Sequence, residues 1–478
     1  MNFFSIRKIP GEIFIVILIF TIFFFLGNLF DMRWLLIMGL LGIFLFLFFI
    51  LKKESYFATA FLISFFTFLL GRIIVNSFTG EKSLIYGSFI YDGPSDERLF
   101  NTLGLLLFSM ITFGIGALCV PKTRFSIKFD KEKKNRLLEK SCITMFYITI
   151  IFSIIVSLER FIFVYRGGSY VNYYLFFSRI LPSFIYKIAE LNTPAFFSVL
   201  AFLPEKKKIK PIVIFYLFNA FIILLSGQRN SFVRAILFSF CYILLRNKND
   251  KKEHWLSKTQ FKLIIFILPI GIMCLQAWGV IRNGTSFNTT GIFEPIISFF
   301  RDQGTTSVVV YEGIELQNEF PIGINYTFAP IINFLKNNQI TRLFYHFPVY
   351  AQQTVDLALY GNNFGATLTY LYKPHNYLIG IGMGSCYISE LFHDFGWLGV
   401  GVINILYGIL LVSTERYLSK TKKLPWLGMI LLLFIDEILY SPRSSALDFL
   451  TNGINFTVIF YIFITYILTI FIGKRRSL

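Results

Sequence analysis

Eight arginines could do chemistry at a membrane surface: Arg166, Arg179, Arg229, Arg234, Arg282, Arg301, Arg342 and Arg443 sit in loops or at the ends of apolar runs that threading places on one face. A guanidinium is a planar fork that grips phosphate or carboxylate through two parallel hydrogen bonds, which a point-charge ammonium cannot do. The chain sorts its cations by that difference. Segments read as cytoplasmic hold 22 Lys and 7 Arg, and the remainder holds 4 Lys and 12 Arg. Lysine excess inside is what the positive-inside rule asks of any multi-span protein. Arginine excess outside is a separate signal, because snorkelling to headgroups is served as well by lysine. An ionisable group at a helix centre costs roughly 2.5–3.5 kcal/mol on insertion scales, so such groups line a cavity or find partners. A lipid-linked pyrophosphate would use them, since it carries its charge at headgroup depth and departs as an anion that needs fixed donors. Arg229, Arg282, Arg301, Arg443 and Arg166 are the candidate pyrophosphate-binding residues.

A second constellation lies in Pro374 to Gly399, PHNYLIGIGMGSCYISELFHDFGWLG. Glu390, His393 and Asp394 stand at i, i+3 and i+4, on one face of a helix. A carboxylate and an imidazole there can act as base and orienter for an acceptor hydroxyl, and a local ion pair is the plainer alternative. His375 follows Pro374, with Gly380, Gly382 and Gly384 behind it; no strand precedes these glycines, so they form no nucleotide fingerprint. Glu390 and His375 are the candidate catalytic residues. Tyr170, Tyr173 and Tyr174 flank Arg166 and Arg179 and are candidates for stacking on sugar rings, a role that interfacial anchoring matches equally. Lys187 and Glu190, one helical turn apart, read as a satisfied pair. Asp436 and Glu437 with Arg443 and Asp448 read as a further ion-pair network.

The elements that must position these residues are helices. At 478 residues, 55% hydrophobic and 15% charged, with a mean hydropathy of +0.65, the chain is a polytopic membrane protein. Its formal charge of +18 is taken up by cations flanking spans, so no nucleic-acid partner is expected. Five scattered cysteines form neither a disulfide framework nor a metal-ligand spacing. No H-E-x-x-H, G-x-S-x-G or paired acidic cluster occurs, so neither a metal site nor serine acyl chemistry is expected.

Runs of the roughly 17 to 25 apolar residues that cross a bilayer fall at 12–30, 34–51, 56–76, 99–120, 141–164, 180–203, 212–227, 231–245, 263–281, 390–412, 426–440 and 453–472. The expected architecture is all-α with about twelve spans: a nine-span bundle over 1–281, a long extracytoplasmic loop over 282–389, and a three-span bundle over 390–478. Both termini then lie in the cytoplasm. The seventh and eighth spans hinge on Gly227-Gln228-Arg229-Asn230, and a re-entrant pair would satisfy the same residues. The loop carries apolar pieces at Ile292 to Phe300, Tyr326 to Leu335 and Ile340 to Tyr350, so short amphipathic helices are expected rather than disorder.

The Pro374 to Gly399 segment, the long loop before it and the Ser226-Gly227-Gln228-Arg229 turn together resemble the Wzy family of O-antigen and capsular repeat-unit polymerases. Gly384-Ser385, Glu390 and Phe395-Gly396-Trp397-Leu398-Gly399 match the family's glycine-rich approach, acidic step and Phe-Gly-x-x-Gly at a span entrance. His375-Asn376 is similar to the pair that O-antigen ligases place in their large loop, although its spacing to Glu390 is longer. The resemblance implies a GT-C-like membrane glycosyltransferase of the bacterial inner membrane. It would transfer a growing glycan from undecaprenyl pyrophosphate onto a lipid-linked oligosaccharide repeat unit at the extracytoplasmic face, without metal or cofactor. Membrane lipids are implied partners, and a chain-length-regulating co-polymerase is a candidate one. Two alternatives stay open: an O-antigen ligase-like transferase, and a lipid-linked oligosaccharide flippase or transporter, against which the long loop and the lack of internal repeats argue.

Overall fold

A computed structural model describes residues 11–87, 96–121, 132–167, 173, 176–249, 253–282, 291, 293–419 and 424–474. Those residues form helices joined by turns and loops, without a named strand. In chain order the helices are α1 Gly11–Leu29, α2 Arg33–Glu54, α3 Tyr56–Phe78, α4 Glu97–Cys119, α5 Glu132–Gly167, α6 Ser183–Glu190, α7 Asn192–Ala201, α8 Lys206–Leu225, α9 Arg229–Asn249 and α10 Lys258–Arg282. There follow α11 Glu294–Gln303, α12 Thr306–Glu315, α13 Ala329–Asn337, α14 Gln339–Phe344, α15 Val355–Tyr360, α16 Phe364–Tyr372, α17 Pro374–Leu378, α18 Tyr387–Leu418, α19 Pro425–Ile438, α20 Asp448–Gly453 and α21 Phe456–Lys474.

Among the described residues nine helical segments are long and apolar enough to cross a membrane: α1 to α5, α8, α10, α18 and the stretch Asp448–Gly473. The other three expected spans are helical but fall short, each for a local reason. The run over 180–203 is split into α6 and α7 at Leu191. Pro194 explains the break, since it has no N–H for the carbonyl of Glu190 and its ring clashes with that turn. α9 carries Arg229, Arg234, Arg246 and Lys248 along its length, and α19 has only 14 residues.

The chain forms two compact units. The first holds Met1–Thr123, Ile296–Ser413 and Glu437–Thr451; the second holds Arg124–Pro295, Thr414–Asp436 and Asn452–Leu478. In the first unit, α4 and α18 touch backbone to backbone. A Cβ on Gly116 would lie 2.2 Å from the carbonyl oxygen of Ile405, and one on Gly408 would lie 2.4 Å from that of Phe113. Small residues at such a crossing let helices approach where lipid gives no hydrophobic drive.

The long connection before α18 is built of short capped helices, as its apolar pieces lead one to expect. Asn338, Thr354 and Asn363 each accept a hydrogen bond from the backbone N–H three residues on, starting α14, α15 and α16. Ala358, Ala366 and Tyr377 form a small core under them, joined by Leu357 and Tyr370. The helix expected over Ile340 to Tyr350 stops at Phe344, and the chain continues without helix to Tyr350.

Candidate functional site

The first unit brings three arginines around one corner. α3 is interrupted by a π-helical turn at Phe66–Leu70, a wider turn found often at functional sites, and Gly71-Arg72 follow it directly. The end of α11 lies on that turn: the Phe300 ring would sit 3.2 Å from a Cβ on Gly71, and a Cβ on Gly304 would lie 2.5 Å from the Arg72 backbone nitrogen. Only glycine at 304 lets the corner close, and the closure sets Arg301, Asp302 and Gln303 beside Arg72. Arg72 lies in the field of both Asp302 and Arg301. Arg443 comes from a 3-10 turn at Ser441–Arg443, donates to Gln303 Oε1 at 3.1 Å, and lies over the Phe68 ring at 5.6 Å.

These three guanidinium groups are used differently. Arg301 donates to Asn76 Oδ1 at 3.1 Å, Thr79 Oγ1 at 3.3 Å and Glu81 Oε1 at 3.1 Å, so its fork braces the turn after α3. Among the described residues Arg443 makes one side-chain hydrogen bond, to Gln303. Arg72 has its Nε buried with no hydrogen-bond partner among the described residues. A buried unpaired donor costs about 1–3 kcal/mol, more for a charged group, unless a ligand satisfies it. Sequence reading passed over Arg72 because it stands inside an apolar run. The available signal was a cation after a glycine near the end of a span, which is a functional marker by default.

Glu390 lies at the start of α18 and is 1% exposed. Ser385 Oγ donates to its Oε1 at 2.6 Å and the Ala446 N–H donates to its Oε2 at 2.9 Å. Asp394, one turn on, accepts from the Thr327 N–H at 2.6 Å and pairs through its other oxygen with His393 Nδ1 at 2.9 Å. The His393 ring packs among Phe320, Tyr326 and Phe364, with centroids at 4.8, 5.1 and 6.3 Å. An imidazole held through one nitrogen by a carboxylate keeps the other for proton transfer. α18 then kinks at Gly396, where φ is 59° and ψ −152°. Glycine adopts that conformation without strain. His375 stands exposed on α17, whereas Glu390 is buried at the start of α18.

Glu312 on α12 was not singled out by sequence and is 5% exposed. Burial pushes its carboxyl up to about 7, reinforced by Glu315 and opposed by Lys373 and a hydrogen bond from Tyr372.

The remaining expected site residues belong to the second unit. The Arg229 guanidinium lies against Gly279, and its NH1 donates to the Leu275 carbonyl at 3.4 Å. Arg166 is exposed at the end of α5. Arg282 ends α10, and its side chain is outside the described residues, as are Tyr170 and Tyr174. Tyr173 packs on Phe177, 5.0 Å between centroids, and on Phe163 at 6.5 Å. Lys187 and Glu190 pair at 3.0 Å as expected. Asp436 pairs with Arg234 of its own unit, and Arg443 bonds Gln303, so the network expected around Asp436 takes other partners. Among the described residues no three His, Cys, Asp or Glu side chains are grouped to hold a metal ion.

Comparison with curated proteins and with solved structures finds no match. A family model does match: O-antigen polysaccharide polymerase Wzy, over residues 12–476, nearly the whole chain. The chain belongs to that family, and with it to the membrane polymerases of glycosyltransferase type that act on lipid-linked oligosaccharide repeat units.

Proposed function

We propose that this polymerase holds the diphosphate of its undecaprenyl-linked donor on Arg72 and Arg443, at the corner made by the π-turn of α3, the end of α11 and the turn at Ser441–Arg443. The observation that carries the reading is the buried Nε of Arg72, unpartnered among the described residues, at a corner to which Arg443 is tied through Gln303. A diphosphate supplies the acceptors that such donors lack. Arg301, expected from sequence to bind the ligand, serves as the brace that holds this corner. The reaction joins two lipid-linked substrates, each with its own diphosphate. Arg229, Arg282 and Arg166 are further candidates for holding a lipid-linked pyrophosphate, and Tyr170, Tyr173 and Tyr174 for stacking on its sugars.

In the step proposed, the acceptor hydroxyl oxygen attacks the anomeric carbon of the donor sugar from the face opposite the diphosphate. The bond between that carbon and the diphosphate oxygen breaks, the hydroxyl proton passes to His393, and undecaprenyl pyrophosphate leaves with its charge held by Arg72 and Arg443. Asp394 orients His393, and the exposed His375 is the second candidate for the proton. A pyrophosphate is a good leaving group, so donor positioning and charge neutralisation carry most of the rate and a modest base suffices. The step draws on no metal. The site faces outward in a GT-C-like arrangement of about twelve crossings with both termini in the cytoplasm, which accessibility of single cysteines on either side of the membrane would test.

The test is incubation of purified protein with lipid-linked repeat units in a chelating buffer. The expected result is a ladder of discrete higher bands, weakened roughly 100-fold or more in a His393→Gln variant. A ladder that needs added divalent ion refutes the metal-free step, and a ladder unchanged in His393→Gln removes the base. Single repeats accumulating in cells that lack the protein support the polymerase, whereas full-length lipid-linked polymer would indicate a ligase.

A further inference from the structure

We infer that Glu390 is a positioning residue that aims Arg443, rather than the base that activates the acceptor. The inference rests on the diphosphate reading of Arg443. A base needs an oxygen open to the acceptor, and both Glu390 oxygens are taken, one by Ser385 and the other by the Ala446 N–H. What those bonds hold is the strand of chain that presents Arg443. The Ala446 carbonyl accepts from the Tyr407 hydroxyl, so both backbone groups of this residue are clamped by side chains of α18. Ser64 on α3 bonds the carbonyl of Leu439, on the other side of Arg443. Between these anchors Ser444 N–H donates to Ser441 at 3.0 Å and Arg443 N–H to Tyr440 at 2.8 Å, closing the tight turn from which the guanidinium reaches Gln303. Arg443 is thus three residues from a peptide that Glu390 holds at 2.9 Å, and loosening that peptide releases the turn. Glycine at 384, with φ at 82°, brings Ser385 round to the carboxylate from the other side.

The two roles rank conservative variants in opposite orders. A base must keep its carboxylate, so Glu390→Gln would abolish activity and Glu390→Asp would retain part of it. A clasp must keep its reach: Gln can accept from Ala446 through its oxygen and donate to the Ser385 oxygen through its amide, whereas Asp is one methylene too short for both. The experiment measures polymerisation and its inhibition by inorganic pyrophosphate for Glu390→Gln, Glu390→Asp, Arg443→Ala and the Glu390→Asp/Arg443→Ala double variant, each purified and monodisperse. We expect Glu390→Gln within about threefold of the parent with an unchanged pH profile, and Arg443→Ala down roughly 100-fold, the loss typical of one removed charge-stabilising donor. Glu390→Asp should lose activity and pyrophosphate inhibition together, and the double variant should be no worse than about threefold below Arg443→Ala, because coupled residues are not additive. An inactive Glu390→Gln, or a double variant in which the two losses multiply, overturns the inference. Full activity in Arg443→Ala instead defeats the diphosphate reading on which it stands.

Discussion

Both units hold matched and unmatched charge, in different settings. Several cations of the second unit are matched within the protein: Arg234 pairs with Asp436, Lys208 with Glu139 at 3.0 Å, and the buried Arg246 donates to the Pro204 carbonyl at 2.8 Å and lies over the Trp255 ring at 4.3 Å, while the Arg160 Nε is buried there without a hydrogen-bond partner among the described residues. In the first unit the match is also incomplete. Among the described residues Arg72 keeps a buried donor open, Arg443 makes one side-chain bond, and burial pushes the Glu312 carboxyl up to about 7. Matched charge holds helices together, and unmatched charge at a cost of a few kcal/mol persists where a ligand completes it. The same residue type therefore does different work in each setting.

The contrast is broken most severely at Arg72. Arg72→Ala should reduce polymerisation roughly 100- to 1000-fold, the loss seen on removing a single donor to developing charge. Arg72→Lys should restore little of it, because an ammonium cannot span two oxygens. Normal polymer yield in both variants would place Arg72 with the structural arginines of the second unit.

Glu312 tests the contrast through pH. Its folded carboxyl titrates at about 7, above the ordinary 4.5, so the folded state binds the proton more tightly. Stability is then greatest below about 4.5, falls as pH climbs to about 7, and levels off beyond it, by on the order of 3 kcal/mol at most. Thermal melts of the purified protein across that window should show the fall, and Glu312→Gln should flatten it. An equal slope in the variant would show that Glu312 is matched after all.

The matched pair of the second unit should behave as structure. Arg234→Gln breaks the ion pair with Asp436 and should cost about 1–3 kcal/mol, read as a lower melting temperature and less protein in the membrane. Activity per folded molecule should stay near that of the parent, and exchanging the two residues should recover part of the loss. A drop in turnover at full protein level would give Arg234 a direct role. The smallest effect is expected for stability at Arg166, whose exposed side chain should change melting by about 0.5 kcal/mol or less on replacement by Ala.

Much of the architecture was legible in the sequence, and the reasons are local. Long apolar runs make spans, and apolar pieces in the long connection mark it as helical, whereas the break at Pro194 and the caps at Asn338, Thr354 and Asn363 came only with the fold. The face shared by Glu390, His393 and Asp394 followed from helical spacing alone. The uses of those residues did not, because their partners arrive from far along the chain. Ala446, which bonds Glu390, is 56 residues away, and Gln303, which bonds Arg443, is 140 away. Arg301 looked like a ligand arginine until Asn76 and Glu81, more than 200 residues earlier, were found in its fork. Arg72 was hidden by an opposite effect: an apolar neighbourhood reads as a span, and only the tertiary corner at Gly304 shows that the cation lies beside Asp302 and Arg301.

Equilibrium binding of undecaprenyl pyrophosphate to the purified protein in lipid nanodiscs tests the central claim most directly, comparing the parent with Arg72→Ala and Arg234→Gln. The account predicts affinity weakened about 100-fold by the first change, equivalent to roughly 3 kcal/mol, and left within about threefold by the second. Equal binding by the parent and Arg72→Ala would contradict it.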